Sequence, residues 1–458
     1  MPAFKYANKK IAVVGLGLEG LSSSKYLAEH GAKVSARDQK DLSELPEEEI
    51  QPLKNLGVEI AAGKNYLEGL NTFDYIVRTP LLRPDLPAFV EAVRSGSTLT
   101  SQTRIFFDLC QANIIGVTGT KGKGTTSTLI SEMLTSAGKK AFLGGNIGKP
   151  PLSFLDETKP GDWVVLELSS FQLMDLEKSP HIAVVLMVTS EHLDWHLSTA
   201  EYQEAKYNLV RHQTNKDFAV VNADYKTSAN FADQTPAEKV WVSLGQENDP
   251  GVFVKNEKIV RRFHGKIEEI LPTSEVRLVG RHNLENALAA SAAVSLVGVS
   301  AQTIKNVLTE FSGLEHRLEL VREWKGKSFY NDSFSTTPET AIAALKSFEK
   351  PMTIILGGSS KNADFTALGE EIVNNKHLVN VVLIGETAPE IEKAVQKAGK
   401  LKAKILHGSG SFEEIVKLAT QVTPKNGVVL LSPACASFDM FENYKERGLK
   451  FKEIVNSF

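Results

Sequence analysis

Eleven residues, Gly116-Val117-Thr118-Gly119-Thr120-Lys121-Gly122-Lys123-Gly124-Thr125-Thr126, have the types and spacing needed to hold the phosphates of a nucleotide. An apolar run over 112–117 precedes them, and a helical pattern over 127–137 follows. A strand, a glycine-rich turn and a helix start place backbone N–H groups around an anion, and the helix dipole favours its charge. Lys123 adds a mobile cation for the terminal phosphates. In most loops of this kind a Ser or Thr follows the lysine directly and binds magnesium. Here Gly124 takes that place, so the hydroxyl expected to reach the metal is that of Thr125.

Carboxylates and histidines recur where apolar β-type runs end. Glu167 closes Trp163-Val164-Val165-Leu166-Glu167 and is placed to ligate magnesium beside the phosphate loop. Glu191-His192-Leu193-Asp194-Trp195-His196 follows the run over 182–189 and reads as a second metal or phosphate-facing turn. Lys206, in a helical stretch, reads from its neighbours alone as a surface lysine. Further along, Asn331-Asp332-Ser333, Gly357-Gly358-Ser359-Ser360-Lys361 and Ser432-Pro433-Ala434-Cys435-Ala436-Ser437-Phe438-Asp439 each close a β-type run. Three polar turns at one sheet edge predict a second substrate site.

The elements that must carry these residues are alternating strands and helices. Lys10-Ile11-Ala12-Val13-Val14-Gly15-Leu16-Gly17-Leu18-Glu19-Gly20, a helical pattern over 21–30, a strand over 33–36 and Asp38 make a dinucleotide-type fingerprint in full context. Gly15, Leu16, Gly17, Leu18, Glu19 and Gly20 are the expected diphosphate turn, with Asp38 near a sugar or base. Strands are also expected at 73–77, 218–221, 240–243, 352–356, 379–384 and 427–431, and an alanine-rich helix at 283–296. The fold class is α/β with three domains in series. A Rossmann-like domain spans 1–108, a P-loop ATPase-type central domain 109–312, and a doubly wound α/β domain 313–458.

A chain of 458 residues exceeds a single core, and its 42% hydrophobic content is that of a globular protein. A net charge of -3 argues against nucleic acid as a partner. No apolar run reaches membrane-spanning length, and the N-terminal residues lack the apolar core of a signal peptide. Two cysteines, Cys110 and Cys435, form no disulfide framework or metal pattern; both are expected as buried structural thiols in a cytoplasmic protein.

Taken in order, these segments resemble the Mur ligases of bacterial cell-wall synthesis over nearly the whole chain. The carriers are residues 116–126, Leu166-Glu167-Leu168-Ser169-Ser170-Phe171-Gln172-Leu173, Glu191-His192-Leu193-Asp194, residues 280–290, Glu315-His316-Arg317-Leu318-Glu319, Asn331-Asp332-Ser333 and residues 432–441. The Glu167 segment and residues 432–441 look like the D-glutamate-adding branch. The resemblance implies a UDP-sugar domain, an ATPase domain, and a C-terminal domain that closes over the site with the amino acid. It implies ATP-dependent ligation of glutamate to UDP-N-acetylmuramoyl-L-alanine through an acyl phosphate, in peptidoglycan precursor synthesis. ATP, two magnesium ions and a cytoplasmic monomer come with it.

Carried over residue by residue, Gly119, Thr120, Lys121, Gly122, Lys123, Gly124, Thr125 and Thr126 would cradle ATP, with Asn286, Arg317 and Asp332 on the adenine nucleotide. Glu167 would hold the first magnesium and His192 the second. Lys206 matches a lysine that is carbamylated in the family, which turns a cation into an anionic ligand. Lys123, His192 and Lys206 would be the catalytic groups. Asn146 would touch the muramoyl part, and Thr336, Lys361, Ser437 and Phe438 the incoming glutamate.

The match breaks at particular residues. Lys121 stands for the usual Asn and Gly124 for the usual Ser, an order closer to folylpolyglutamate synthases, which share the chemistry. Thr79-Pro80-Leu81-Leu82 lacks the glycine expected after proline. Glu19 replaces a small residue, and an acid facing a diphosphate repels it, so a rearranged contact is expected. Phe334 replaces the lysine that greets a substrate carboxylate, which leaves D- and L-glutamate both open. A folylpolyglutamate synthase-like ligase, an NAD-dependent oxidoreductase using the turn at Gly15, and a non-catalytic ATP switch are the rival readings.

Overall fold

The computed structural model describes residues 4–189, 191, 195–359 and 363–458. Three separate, mostly parallel sheets carry the chain. The first contains β1 (Lys10–Val14), β2 (Lys33–Asp38), β3 (Glu59–Ala62), β4 (Tyr75–Arg78) and β5 (Thr98–Ser101), in the order β3-β2-β1-β4-β5. All its pairings are parallel. Alternation along β1 explains why it is apolar throughout: Ile11 and Val13 pack with Tyr26 and Leu27 on one face, Ala12 and Val14 with Ile76 and Phe89 on the other. The strand order reverses between β1 and β4, so a crevice opens at their C-terminal ends.

The second sheet contains β6 (Asn113–Thr118), β7 (Ala141–Gly145), β8 (Trp163–Glu167), β9 (Ile182–Val185), β10 (Phe218–Asn222), β11 (Glu238–Ser243), β12 (Gly251–Lys255), β13 (Lys258–Phe263) and β14 (Lys266–Pro272). Its order is β14-β13-β12-β11-β10-β9-β6-β8-β7. β6 lies between β8 and β9, and all three run parallel. The chain leaving β6 therefore emerges at a switch point, which is where the phosphate-type loop stands. β12, β13 and β14 form an antiparallel extension that the sequence pattern did not distinguish from generic strand pieces.

The third sheet contains β15 (Glu319–Trp324), β16 (Lys327–Asn331), β17 (Met352–Gly357), β18 (Leu378–Ile384), β19 (Lys404–His407) and β20 (Val428–Leu431), in the order β15-β16-β20-β17-β18-β19. Ile354 and Leu356 pack with Val381 and Leu430 beneath one helical layer, whereas Ile355 packs with Val382 and Val429 beneath the other. A doubly wound sheet buries both faces, which is why these strands read as unbroken apolar runs.

By contact density, residues 1–273 with 285–307 make one compact unit and residues 274–284 with 308–458 another. Within the first unit a buried arginine ties the first sheet to the second. Arg78, the last residue of β4, donates to both carboxylate oxygens of Asp175 at 2.6 and 2.9 Å and to the Phe171 carbonyl at 3.0 Å. Among the described residues no helix is long and apolar enough to cross a membrane. Cys435 is buried, as expected, but Cys110 is only half-buried, because it caps the helix Gln102–Leu109 at the surface.

The apolar run over 182–189 is shorter as a strand than expected, whereas β8 ends at the residue expected. β9 stops at Val185, which pairs with Thr118 at the end of β6; beyond that pair the chain meets the phosphate-type loop. Leu186 N–H donates to the Thr118 carbonyl and Thr120 N–H to the Met187 carbonyl, at 2.9 and 2.7 Å. β8 stops at Glu167, where Ser169 caps the short helix Ser170–Leu173 in a reciprocal box with Gln172.

Candidate functional site

The phosphate-type loop is built on glycine at the point where it turns into the helix Lys123–Ser136. Gly122 is the helix N-cap with φ 87°, a left-handed backbone. A Cβ there would lie 2.2 Å from Asn286 Oδ1, so Asn286 packs directly against the loop. Lys123 Nζ donates to the Gly119 and Thr120 carbonyls, each at 3.0 Å, which holds its charge over the turn. Lys121 pairs with Glu191, in the acidic turn after β9. Thr120 is a bracing residue: its hydroxyl bonds Tyr202 at 3.0 Å and accepts Thr189 N–H at 2.9 Å.

Glu167 sits at the C-terminal end of β8, next to the loop on the neighbouring strand. It is 6% exposed, and its Oε1 accepts Asn146 Nδ2 at 3.2 Å. Asn146 N–H also donates to the Glu167 carbonyl, and Gly145 must be glycine because a Cβ would fall 2.2 Å from that oxygen. Asn146 and Glu167, far apart in sequence, thus share one strand edge.

Lys206 overturns its reading as a surface residue. It lies on the helix Thr199–Arg211, 1% exposed, with Nζ donating to Thr118 Oγ1 at 3.1 Å and to the Gly119 carbonyl at 3.0 Å. Burial, and secondarily the charge of Lys123, push its ammonium well below the ordinary lysine range, against the weaker pull of Glu191 and Glu167. Its side chain is therefore an amine poised to lose its charge, under the phosphate loop. Tyr202, one turn earlier, covers it. Nothing in the local sequence marked Tyr202, but its i, i+4 spacing from Lys206 was a usable signal.

Among the described residues no group of three or more His, Cys, Asp or Glu side chains forms a metal cage. Magnesium needs less: one or two carboxylates and hydroxyls, with substrate phosphates completing the shell. Glu167, beside a glycine-rich loop and a helix whose first turn holds Thr125, is such a donor set. Thr126 Oγ1 and Ser127 Oγ are also enclosed there without a hydrogen-bond partner. The residues present fit a magnesium shared with phosphates. His192 lies outside the described residues.

At the first sheet, Gly15 (φ 97°) and Gly20 make the turn possible; a Cβ on Gly20 would fall 1.7 Å from the Gly15 carbonyl oxygen. Asp38 holds this turn itself, accepting Leu16 N–H at 2.7 Å on one oxygen and Lys40 N–H at 3.0 Å on the other. Glu19 does not face outward. Its Oε1 accepts Gln172 Nε2 at 2.6 Å, its Oε2 is enclosed without a partner, and burial pushes its carboxyl up to about 7. The repulsion expected from an acid in the diphosphate turn is thereby reduced.

In the second compact unit, the turns after β16 and β20 meet. Asp332 accepts Ser432 Oγ at 2.7 Å and Leu318 N–H at 3.1 Å, and burial raises its carboxyl to about 7. Asn331 Nδ2 lies 2.9 Å from His316 Nδ1 and donates to Glu319 Oε2 at 3.1 Å. Ser359 Oγ accepts Phe438 N–H at 3.2 Å, joining the turn after β17 to the one after β20. Ser437 is buried, Phe438 is exposed and Thr336 half-buried. Lys361 lies outside the described residues. Arg447, from the helix Tyr444–Asn456, was not singled out by sequence. It is 1% exposed and donates to Ser333 and to the Cys435 and Ala436 carbonyls, so it fastens two of the turns together.

Comparison with known proteins agrees with this arrangement. The profile of the Mur ligase MurD-like N-terminal domain matches residues 9–101, that of the Mur ligase middle domain 117–294, and that of the Mur ligase glutamate ligase domain 316–435. The UDP-N-acetylmuramoylalanine–D-glutamate ligase of Acetivibrio thermocellus is 43% identical over 99% of this chain and 97% of its own. That of Ruminiclostridium cellulolyticum is 40% identical over 98% and 97%. In fold, the chain is similar to the MurF ligase from Thermotoga maritima solved in complex with ADP, with a TM-score of 0.58 and 18% identity over 99% of this chain and 96% of that one. With all three sheets matched in order and two relatives similar over nearly their full length, the chain belongs to the Mur ligase family.

Proposed function

We propose that this protein is the ATP-dependent ligase that joins D-glutamate to UDP-N-acetylmuramoyl-L-alanine, a step in making peptidoglycan precursors. The observation that carries the site chemistry is the buried Lys206 beneath a phosphate-type loop flanked by Glu167. An amide from a carboxylate and an amine is uphill, so the carboxylate must first be activated. Transfer of the terminal phosphoryl group of ATP to the alanyl carboxylate makes an acyl phosphate with a good leaving group. The amine of glutamate then attacks, and phosphate departs.

The chain's residues divide this work. Gly119, Thr120, Lys121, Gly122, Gly124 and Thr126 shape the phosphate loop, and Lys123 neutralises charge on the transferring group. Magnesium, two ions in this reading, would be held by Glu167, the Thr125 hydroxyl, His192 and Lys206, and would supply positive charge to the phosphates. Lys206 serves as an anion after its amine adds to carbon dioxide, giving a carbamate and releasing a proton. A depressed ammonium pKa favours this, because only the neutral amine reacts. Asn286, Arg317 and Asp332 contact the adenine nucleotide. Residues 15–20, Asp38 and Asn146 take the sugar nucleotide, and Thr336, Lys361, Ser437 and Phe438 take glutamate. We place the domain boundaries near residues 108 and 312, with the protein acting as a cytoplasmic monomer.

The deciding experiment is phosphate release measured with ATP, magnesium and UDP-N-acetylmuramoyl-L-alanine, offering D-glutamate, L-glutamate or D-aspartate. Release that requires the sugar nucleotide and D-glutamate together supports the reading. Release with L-glutamate at equal efficiency, or with a folate acceptor, overturns it.

A further inference from the structure

Phe334 follows Asn331-Asp332-Ser333 directly and is 36% exposed, yet it is held from several sides. Its N–H donates to the His316 carbonyl at 3.0 Å. Ser333, just before it, gives its hydroxyl to the Tyr444 carbonyl at 2.7 Å and is gripped by Arg447 through Nε and Nη2, each at 3.0 Å. The Tyr444 ring meets the Phe334 ring edge-on, with centroids 5.0 Å apart at 90°. The helix Tyr444–Asn456 is thus a fixed floor under Phe334. Above the ring, Arg317 Cζ lies 3.8 Å from its centroid.

We propose that Phe334 is the positioning residue for Arg317, its ring fixing the guanidinium in the orientation in which it meets the nucleotide. This rests on the assignment of Arg317 to the adenine nucleotide made above, and it moves Phe334 from the glutamate side of the reaction to the nucleotide side. Stacking uses the π face of the guanidinium and none of its in-plane N–H donors, which are the groups that bind phosphate or a base edge. An arginine side chain carries many rotamers, so a floor beneath it reduces the ordering cost when the anion arrives. A flat aromatic does this without adding charge, whereas a lysine at the same place would set a cation against the guanidinium.

The test is a set of single variants assayed for the KM of each substrate in turn, with thermal midpoints measured alongside. Phe334→Leu keeps the bulk and removes the π face; it should raise the KM for ATP roughly 2- to 5-fold, with the KM for glutamate unmoved. Phe334→Lys should raise it further, and Phe334→Tyr should restore it to within about twofold of the original. A change in the KM for glutamate with none for ATP, or a Phe334→Tyr variant no better than Phe334→Leu, overturns the proposal. Failure of the unaltered protein to use ATP would instead overturn the functional reading on which it stands.

Discussion

Lys206 and Tyr202 share one face of the helix Thr199–Arg211, with the lysine nitrogen 4.7 Å from the centre of the tyrosine ring. The ring covers the lysine, and Thr118 at the end of β6 and Gly119 in the loop take its hydrogen bonds. Burying a lysine cation without a carboxylate hydrogen bond is costly, so this setting favours the neutral amine.

Lys206→Arg keeps positive charge but cannot form a carbamate. It should lower turnover by about 10²-fold or more, as loss of one electrostatic contact in a phosphoryl-transfer site does. Isotopically labelled carbon dioxide should give a carbamate carbon signal in the original protein and none in the variant. A variant that retains full turnover would remove Lys206 from the mechanism.

Gly122→Ala should weaken ATP binding. The added methyl must adopt a left-handed backbone at φ 87° and falls 2.2 Å from Asn286 Oδ1. The backbone strain alone costs about 1–2 kcal/mol of folding stability, whereas the collision displaces Asn286 or the loop and should raise the KM for ATP several-fold. Gly138→Ala, at the far end of the same helix, has a left-handed backbone but nothing within 4 Å, and isolates the strain from the collision.

Arg78→Met should destabilise the first compact unit, because it leaves Asp175 without its bidentate partner at 14% exposure. Breaking a buried pair from one side costs about 3 kcal/mol or more. The unfolding midpoint should fall by several degrees, and Arg78→Met combined with Asp175→Leu should recover part of the loss. Equal midpoints for the original and the single variant would show that the pair carries no stability.

Glu19 gives a pH signature. Burial raises its carboxyl from 4.5 in the unfolded chain to about 7 in the fold, so the folded state holds the proton more tightly. The stability this contributes is fully present below pH 4.5 and is lost as pH rises through about 7. Glu19→Gln is neutral throughout and keeps the hydrogen-bonding shape. Its midpoint relative to the original protein should therefore be higher at pH 8 than at pH 5. The KM for the sugar nucleotide should also be lower in the variant at pH 8, where the original carries an anion in the diphosphate turn. A midpoint difference that does not change with pH would show that Glu19 is already ionised.

The local signals were sufficient wherever chemistry and backbone coincide. Glycines at 15, 17, 20, 119 and 122, set after apolar runs, foretold two tight strand-to-helix turns, because glycine adopts the left-handed backbone and the close approaches such turns need. The unbroken apolar runs of β8, β9, β17 and β20 foretold parallel strands buried on both faces. Strand ends were misjudged where a run continued past the ladder, as at 186–188, because an apolar residue looks the same whether its backbone bonds a strand or a loop. The antiparallel extension β12 to β14 was missed as a unit for a similar reason, since pairing direction has no local mark.

By itself, then, the order of residue types determined the α/β class, the three sheets in series and the glycine-rich turn between β6 and the helix Lys123–Ser136. These depend on periodicity and turn chemistry, which act over a few neighbouring residues. Only tertiary structure decided that Lys206 is buried beneath that loop, that Glu19 turns to Gln172, that Arg78 reaches Asp175, and that Phe334 carries Arg317 on its ring. Each of those depends on what a distant segment brings alongside, and desolvation and pairing are set by that neighbour.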